Sequence, residues 1–277
     1  MQDLADRVAV ITGAASGIGQ SLARRFAREG MKLVLADIEE AALLEVEKEL
    51  RLGGTPVLAV KTDVSRKASV FALADRAFDA FGRVHIVCNN AGVSGGLGHI
   101  WDIPDQDWEW IMAVNVYGVL HGIQAFVPRM IEHGEEGLIL NTSSVVGLTT
   151  GTSSVYGVAK HAVSRMTEGL HYDLRAAGSK LRAALLVPGA TATNILYADR
   201  NRPQALLVPR DEEAQAALIQ RRQTRHEQLQ EIGMTPEQLA DITVEGIRQG
   251  RLYIIADPER TTPAVRLRME GIVGTES

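Results

Sequence analysis

Short apolar runs rich in β-branched residues recur along the chain and alternate with segments whose apolar residues have helical spacing. The apolar runs are Val8–Ile11, Leu33–Ala36, Val57–Val60, Val84–Cys88, Leu138–Leu140, Leu181–Val187 and Leu252–Ile255. Near-continuous apolar strands separated by helices are typical of parallel strands that crossover helices cover on both faces. The pattern therefore predicts an α/β fold with a single doubly wound, Rossmann-type parallel sheet of about seven strands.

Five helices are predicted between these strands, and each is followed by a glycine. The helices are Gly19–Glu29, Glu39–Leu50, Lys67–Phe81, Asp105–His133 and Val155–Ala177. Asp105 is expected to cap the fourth helix. The glycines are Gly30, Gly53, Gly82, Gly134 and Gly178. Each is expected to take the left-handed conformation that ends a helix.

The regular alternation stops between residues 193 and 232. A polar loop containing Pro203 and Pro209 is followed by a charged helical run over Asp211–Glu231. This composition predicts a substrate flap rather than an element of the core. Thr235 and Pro236 then predict the start of another helix, with Thr235 as its N-cap and Pro236 at the first helical position.

Composition and charge exclude several classes of protein. A chain of 277 residues with 45% hydrophobic and 23% charged residues is typical of one globular domain, so residues 1–277 are expected to form a single domain whose tail, 258–277, carries no predicted element. The net charge of -5 leaves no basic surface for nucleic acid. The single cysteine, Cys88, excludes an intrachain disulfide and a cysteine-based zinc site. No export signal or membrane-spanning run is recognised, so a cytoplasmic location without a metal or membrane partner is expected.

A glycine-rich turn joins the first predicted strand to the first predicted helix. Residues 12–19 read Thr-Gly-Ala-Ala-Ser-Gly-Ile-Gly, and glycines there let a pyrophosphate approach the N–H groups of the helix N-terminus. Its place at the start of the strand–helix series favours a dinucleotide site over a plain turn. Asp37 follows Gly19 by 18 residues, where an acidic residue binds ribose hydroxyls and repels a 2′-phosphate. NAD is therefore favoured over NADP; the alternative is that Asp37 only caps the next helix.

Tyr156 and Lys160 lie one turn apart at the start of an amphipathic helix. The i, i+4 spacing places both side chains on one face. A nearby positive charge favours the phenolate and lowers the pKa of a tyrosine, as a general acid or base requires. The pair alone is a weak signal, because such spacing also arises by chance.

The pair occurs together with other motifs in a recognisable order. These motifs are Thr12-Gly13-x-x-x-Gly17-x-Gly19, Asn89-Asn90-Ala91-Gly92, Asn115, Ser143-Ser144, Tyr156-x-x-x-Lys160 and Pro188-Gly189. In order and spacing the chain resembles the short-chain dehydrogenase/reductase family, in its oxidoreductase form of about 250 residues. The resemblance covers about residues 5–256.

The resemblance implies a role for each matching residue. Tyr156 would exchange a proton with the substrate oxygen, Lys160 would lower the pKa of Tyr156 and hold the nicotinamide ribose, and Asn115 would anchor a water beside Lys160. The implied cofactor-binding residues are Gly13, Ser16, Gly17, Ile18, Gly19, Asp37, Asp63, Val64, Asn89, Ala91, Gly92, Tyr156, Lys160, Pro188, Thr191 and Thr193. The family also implies a homotetramer or homodimer that pairs the helices Asp105–His133 and Val155–Ala177.

The family uses a serine to bind the substrate oxygen, and two spacings that locate it select different residues here. Counting three residues back from Gly147 selects Ser144, whereas counting about 13 back from Tyr156 selects Ser143. A one-residue deletion in the loop Leu148–Val155 is easier to accommodate than a shift at a strand end, because loops tolerate deletions. Ser144 is therefore preferred.

Apolar residues in and beside the flap favour a hydrophobic, cyclic or aromatic secondary alcohol or ketone as substrate. They are Ile195, Leu196, Tyr197, Leu206, Leu207, Val208, Leu97, Ile100 and Leu148. One alternative is a 3-ketoacyl-thioester reductase, whose carrier Arg200, Arg202 and Arg210 would accept. Another is a catalytically idle NAD-sensing protein that uses the fold to bind a partner.

Overall fold

A computed structural model of the protein describes residues 1–151 and 154–274, and its centre is one parallel sheet. The strands are β1 (Val8–Thr12), β2 (Lys32–Asp37), β3 (Val57–Lys61), β4 (Ile86–Asn89), β5 (Gly137–Thr142), β6 (Leu181–Val187) and β7 (Tyr253–Ile255). Their order across the sheet is β3-β2-β1-β4-β5-β6-β7, and every neighbouring pair is parallel. The predicted doubly wound, Rossmann-type sheet is thus confirmed.

The central strands are buried on both faces because their alternate side chains belong to two different cores. In β1, Ala9 and Ile11 pack into one core, whereas Val8 and Val10 pack into the other. Side chains alternate between the two faces of a strand. A strand that is covered on both faces, such as β1, therefore consists largely of consecutive apolar residues.

Nine helices flank the sheet within the described residues. They are α1 (Gly17–Arg28), α2 (Glu40–Leu52), α3 (Lys67–Phe81), α4 (Asp105–Met112), α5 (Gly118–Glu132), α6 (Val155–Ala176), α7 (Glu212–Ile232), α8 (Pro236–Arg248) and α9 (Pro258–Val273). Buried residues of α1, α2 and α8 pack in the first core, and those of α3, α5 and α6 pack in the second. The sheet is therefore a middle layer between two layers of helices.

The predicted helix over Asp105–His133 is not one regular α-helix. A π-helical turn, Ala113–Tyr117, separates α4 from α5. Asp105 is also not the N-cap: Pro104 occupies that position, and Asp105 is the first helical residue. A carboxylate in the first turn still stabilises the helix through its dipole, which explains why the sequence signal for a helix start was correct to within one residue.

Four of the five predicted helix-ending glycines have a positive φ, but Gly53 does not. The φ of Gly53 is -75°, and Gly54 takes the left-handed conformation with a φ of +84°. The difference arises because α2 continues to Leu52, so that the position after its C-cap, where left-handed backbone is favoured, is Gly54.

The run Asp105–Glu132 is long and apolar enough to cross a membrane by length and composition. Half of its most apolar stretch is buried against the rest of the protein. Burial of this kind is typical of a helix in a packed core, where apolar residues face other helices and the sheet.

The flap, residues 193–232, consists of two short 3-10 helices and α7. Its base is closed where the Ala192 N–H donates to the Met234 carbonyl at 3.0 Å and the Met234 N–H donates to the Ala190 carbonyl at 2.9 Å. None of the α7 residues is buried. The flap is therefore a closed loop whose helix lies on the surface, as its composition predicted.

The tail is the clearest departure from the sequence prediction. Residues 258–273 form α9 instead of lacking an element. The Asp257 carboxylate accepts the Arg260 N–H at 3.2 Å, and Pro258 occupies the first helical position, which is the same start that Thr235 and Pro236 give α8. Residues 275–277 of the tail, and residues 152 and 153 of the loop discussed above, lie outside the described residues.

Candidate active site

A cavity of about 1330 Å³ lies at the carboxyl ends of the strands. Residues at or just after the ends of β1, β2, β4, β5 and β6 line it, including Gly13, Asp37, Asn90, Ser144 and Pro188. The strand order reverses between β1 and β4, and ligands of open α/β sheets bind in the crevice at such a switch point. The cavity thus occupies the position where this fold binds a dinucleotide.

The turn after β1 is shaped by its three glycines. Gly13 has a φ of +68°, and a Cβ there would lie 2.9 Å from the Cα of Ala91. Gly17 has a φ of +53° and lies on the cavity wall with Ser16 and Ile18. Gly19 does not line the cavity; a Cβ at Gly19 would lie 2.1 Å from the Gly13 carbonyl oxygen. Its role is therefore close packing inside the turn, which keeps the N-terminus of α1 open toward the cavity.

Thr12 joins this turn to the loop after β4. Its hydroxyl accepts the N–H groups of Asn90 and Ala91 at 2.9 and 3.0 Å. Ala91 and Gly92 line the cavity, as predicted, but Asn89 does not. Asn89 is buried and donates to Asn141 at 2.9 Å. The residue that faces the cavity is thus Asn90, directly after β4, because Asn89 is turned toward the inside of the protein.

Asp37 lies at the end of β2 on the cavity wall. Its carboxylate accepts the Ala15 N–H at 2.9 Å and the Glu39 N–H at 3.0 Å. Burial raises the pKa of Asp37 above its ordinary value. Arg200 of the flap reaches the same end of the cavity, where its Nε donates to Glu39 at 2.9 Å. The charge of Arg200 is thus paired with Glu39.

Five further predicted cofactor-binding residues line the cavity. They are Asp63, Val64, Pro188, Thr191 and Thr193. Together with the glycine turn and an acceptor at Asp37, they form a continuous wall from the end of β3 to the start of the flap. A turn with no room for a side chain beside a helix N-terminus fits the diphosphate of a nicotinamide dinucleotide.

Tyr156 and Lys160 occupy the first two turns of α6 and line the cavity. Ser154 caps the helix by accepting the Gly157 N–H at 2.9 Å. The Lys160 Nζ donates to the Thr142 carbonyl at 2.8 Å and lies 5.5 Å from the centre of the Tyr156 ring. The predicted arrangement on one helix face is therefore present.

The two serines after β5 face different groups. The Ser144 hydroxyl faces the Tyr156 phenol, whose pKa it lowers, and it lines the cavity. The Ser143 hydroxyl is buried, donates to the Lys160 carbonyl at 2.9 Å and lies 2.8 Å from the Ser164 hydroxyl. The structure thus brings Ser144, the preferred residue, to Tyr156, whereas Ser143 joins β5 to α6.

Burial dominates the ionisation of both α6 groups. It raises the pKa of Tyr156 to about 12, although the hydrogen bond from Ser144 opposes the shift. It lowers the pKa of Lys160 to about 8. The expectation of a lowered tyrosine pKa was therefore wrong for this structure, because desolvation disfavours the phenolate more than the neighbouring groups favour it. Tyr156 therefore carries its proton at neutral pH, as a proton donor must.

Asn115 lies in the π-helical turn and is fully buried. Its amide accepts the Val93 N–H and donates to the Val93 carbonyl, both at 2.8 Å. A Cβ at Gly92 would lie 3.3 Å from the Asn115 Oδ1 and 3.5 Å from the Lys160 Nζ. Asn115 therefore holds the loop after β4 beside Lys160 and does not itself line the cavity.

The wall beyond Tyr156 is largely apolar. Of the apolar residues predicted from the sequence, Leu97, Ile195 and Leu196 line the cavity, and Val93, Trp110 and Val114 join them. The others do not line it: Ile100, Leu148, Tyr197, Leu206, Leu207 and Val208. Trp110 is on α4 and belongs to none of the motifs, so no sequence spacing identified it.

A buried ion pair fixes the flap against α4 beside this wall. Arg202 pairs with Asp107 and lies 4.6 Å above the Trp110 ring. Their side chains are 3% and 9% exposed. Such a pair gains its stability only when its geometry is maintained, so the flap is held at this point of the cavity rim.

The sequence model of the family described as short chain dehydrogenase matches residues 7–204, which include the glycine turn, Asp37, Ser144 and the Tyr156–Lys160 pair. The chain is a short-chain dehydrogenase/reductase. It is 42% identical to a short chain dehydrogenase/reductase from Burkholderia phymatum solved in complex with NAD, with a TM-score of 0.92 over 100% of this chain and 98% of that one.

Two curated relatives of this dehydrogenase/reductase are also similar in sequence. A CLA biosynthesis dehydrogenase/reductase from Lactiplantibacillus plantarum is 34% identical over 275 residues, which is 99% of this chain and 95% of the relative. A 3beta-hydroxysteroid dehydrogenase 2 from Eggerthella lenta is 39% identical over 193 residues, which is 69% of this chain and 74% of the relative. The protein is therefore an oxidoreductase that acts on CH–OH groups of small molecules with a nicotinamide cofactor. The alternative of a catalytically idle NAD-sensing protein is rejected.

Proposed function

We propose that this dehydrogenase/reductase interconverts a hydrophobic secondary alcohol and its ketone, and that it uses NAD. The contact between Ser144 and Tyr156 beside Lys160 carries the proposal. Two hydroxyl groups that already meet on the cavity wall can both bind one substrate oxygen, as polarisation of a carbonyl requires.

Proton transfer is assigned to Tyr156. In reduction the phenol gives its proton to the carbonyl oxygen, and in oxidation the phenolate removes the hydroxyl proton of the alcohol. Ser144 donates to the same oxygen and stabilises its developing charge. The ammonium group of Lys160 favours the phenolate that reduction leaves behind.

The remaining residues hold the reactants in place. Asn115 fixes the Gly92–Val93 segment through two hydrogen bonds, and the glycine turn, Asp37, Asp63 and Thr193 would hold the dinucleotide along the strand ends. Bound NAD supplies the hydride acceptor, and that chemistry belongs to the cofactor. The protein adds orientation and exclusion of water.

The apolar wall supports the choice of substrate class. Val93, Leu97, Trp110 and Ile195 offer an uncharged surface beyond Tyr156, and burial of apolar substrate surface there is favourable. One similar protein bears the name of a hydroxysteroid dehydrogenase, and a steroid hydroxyl is a hydrophobic secondary alcohol. Turnover of sugars or polyols alone would contradict the proposal.

Asp37 supports NAD over NADP, which leads to a test. In Asp37→Asn the amide oxygen still accepts the Ala15 N–H, but the charge that repels a 2′-phosphate is lost. We expect the ratio of kcat/KM with NAD to kcat/KM with NADP to fall about tenfold or more, the value of one charge-assisted hydrogen bond. Steady-state rates with both cofactors measure this ratio, and an unchanged ratio would contradict the assignment.

The function itself is tested by a substrate panel with both cofactors. The panel contains hydrophobic cyclic, aromatic and steroid alcohols with their ketones, a sugar, a polyol and acetoacetyl-coenzyme A, and absorbance reports reduction of the cofactor. Preferential turnover of the hydrophobic alcohols supports the proposal. Preference for the thioester would support the 3-ketoacyl-thioester reductase instead.

We also infer that the enzyme is a cytoplasmic homotetramer or homodimer assembled through α5 and α6. Exposed apolar side chains on these helices and the π-helical turn support this inference, namely Tyr117 at 53%, Ile131 at 44%, Val158 at 42% and Tyr172 at 65%. Covering such residues is favourable in an interface between subunits. Light scattering that gave the mass of a monomer would contradict it.

A further inference from the structure

Arginines are concentrated on the flap side of the cavity, and four of them are neutralised. Arg200 pairs with Glu39, Arg202 with Asp107, Arg222 with Asp199 and Arg260 with Asp257. All four arginines and their carboxylates line the cavity. The first two pairs tie the flap to the rest of the protein, the third lies within the flap, and the fourth is local to the start of α9. In each pair the charges cancel.

Two arginines of α7 on the same wall have no such partner. Among the described residues, no carboxylate pairs with Arg221 or Arg225, although both line the cavity. The loop residue Arg210 is a third without a carboxylate, since it contacts only the Val208 carbonyl, at 3.4 Å. On the flap side of the cavity, Glu259 is the carboxylate without an arginine partner. The unpaired positive charges therefore outnumber the unpaired negative ones there.

The position of Arg221 and Arg225 is unfavourable for the helix itself. They are four residues apart on α7, and like charges at this spacing destabilise a helix. The residues one turn further along the same face are Ala217 and Leu229, so the helix supplies no acidic partner. A ligand anion between the two guanidinium groups would remove the repulsion.

The cavity-facing side of α7 is apolar on both sides of the arginines. Ala214, Ala217 and Leu218 line the cavity before them, and Leu229 and Ile232 line it after them. None of these residues is buried, so this apolar face has no protein surface packed on it. The face therefore matches a ligand that combines an apolar body with one anionic group.

We propose that Arg221 and Arg225 bind the carboxylate of the substrate, which is then a hydrophobic hydroxy acid or its keto acid. This inference rests on the proposed function, because the carbinol of the same molecule must reach Tyr156. Arginine suits the role, since its planar guanidinium binds a carboxylate through two parallel hydrogen bonds.

The test compares acids with their methyl esters. Ricinoleate and lithocholate are hydrophobic secondary alcohols with a carboxylate, and methyl ricinoleate and methyl lithocholate lack the charge. In the double variant R221Q/R225Q, we expect kcat/KM for a turned-over acid to fall about tenfold, the value of one hydrogen bond to a charged group, whereas kcat/KM for its ester stays the same. Added salt should lower kcat/KM of the wild type for the acid alone.

Two controls separate local from general effects. Arg76→Gln removes an exposed arginine of α3 outside the cavity and should leave every rate unchanged. If R221Q/R225Q melted at a lower temperature than the wild type, the single variant Arg225→Gln would replace it, with a loss of about threefold because one of the two arginines remains.

The outcomes distinguish this inference from the proposed function. If esters and acids were used equally well, or if R221Q/R225Q slowed both alike, the carboxylate site would be wrong and the proposed function would stand. If no alcohol of the panel were oxidised, the proposed function would fail. Calorimetry with cholanate, which lacks a hydroxyl, would then decide the site alone: binding to the wild type but not to R221Q/R225Q supports it, and equal binding overturns it. A charge-dependent preference for acetoacetyl-coenzyme A would overturn the carboxylate in favour of a carrier phosphate.

Discussion

Replacing Tyr156 with phenylalanine is expected to lower kcat/KM for alcohol oxidation by about a hundredfold to ten-thousandfold, the usual contribution of a general acid or base. The variant keeps the ring and loses only the phenolic hydroxyl that meets Ser144. Binding of NAD should persist, because the glycine turn and Asp37 are unchanged. Steady-state oxidation rates and calorimetric titration with NAD measure the two effects separately.

Tyr172→Phe provides the matched control. Tyr172 is on the same helix, α6, but its side chain is 65% exposed, its ring meets that of His171 edge-on, and it does not line the cavity. The control should retain full activity. Retention of most activity by Tyr156→Phe would overturn the assignment of Tyr156 as the proton donor and acceptor.

The second large effect is expected at Lys160, in the dependence of ketone reduction on pH. Because the pKa of Lys160 is lowered to about 8, its ammonium group is present below that pH and is lost above it. The pKa of Tyr156 is raised to about 12, so the phenol remains protonated across the same range. We therefore expect kcat/KM for reduction, which reports the free enzyme, to be constant below pH 8 and to fall about tenfold per pH unit above it.

Two substitutions identify the group responsible for this falling limb. Lys160→Met removes the charge at every pH and should lower kcat/KM by about a hundredfold or more, as loss of a charged stabilising group in an active site does. Lys160→Arg retains a charge that does not titrate below pH 12, so its residual activity should not fall near pH 8. A falling limb that survived in Lys160→Arg would assign the titration to another group.

The strands were predictable because the central sheet is buried on both faces. Every residue of β1 and β5 is buried, which leaves an apolar run that stands out in the sequence. The helix start at Thr235 was equally local, since the cap and Pro236 are adjacent residues. Features that depend on neighbours in the chain were therefore recovered within one or two residues.

The errors concern features that sequence neighbours do not determine. The π-helical turn depends on the packing of α4 and α5 against different partners, and Asn89 is turned inward by Asn141, a residue of another strand. Helix α9 was missed although its start at Asp257–Pro258 repeats the start of α8, because its apolar residues are exposed and show no single buried face.

The candidate site shows the same division. Spacing selected the glycine turn, Asp37 and the α6 pair, and an argument about loop length selected Ser144; apart from Gly19, the structure places the glycines of the turn and the other selected residues on the cavity wall. The ion pair between Arg202 and Asp107 was not found, because its members are separated by 94 intervening residues and meet only when the flap folds back. The lowered tyrosine pKa was also mispredicted, since burial cannot be read from two residues on one helix face.

The π-helical turn Ala113–Tyr117 has a consequence for how this chain tolerates deletions. A π-helical turn is the geometry of a helix that holds one additional residue while both flanks remain regular. Deleting that residue would restore an ordinary helix but rotate α4 relative to α5 by about 100°, the angle between successive helical residues. Asn115 would lose its hydrogen bond with Val93, and the side chains of Trp110 and Ile111 would turn out of the hydrophobic cluster in which they are buried. A one-residue deletion that made the helix regular would therefore be harmful in two ways. It would displace the Asn115 amide, and it would disrupt the packing of α4.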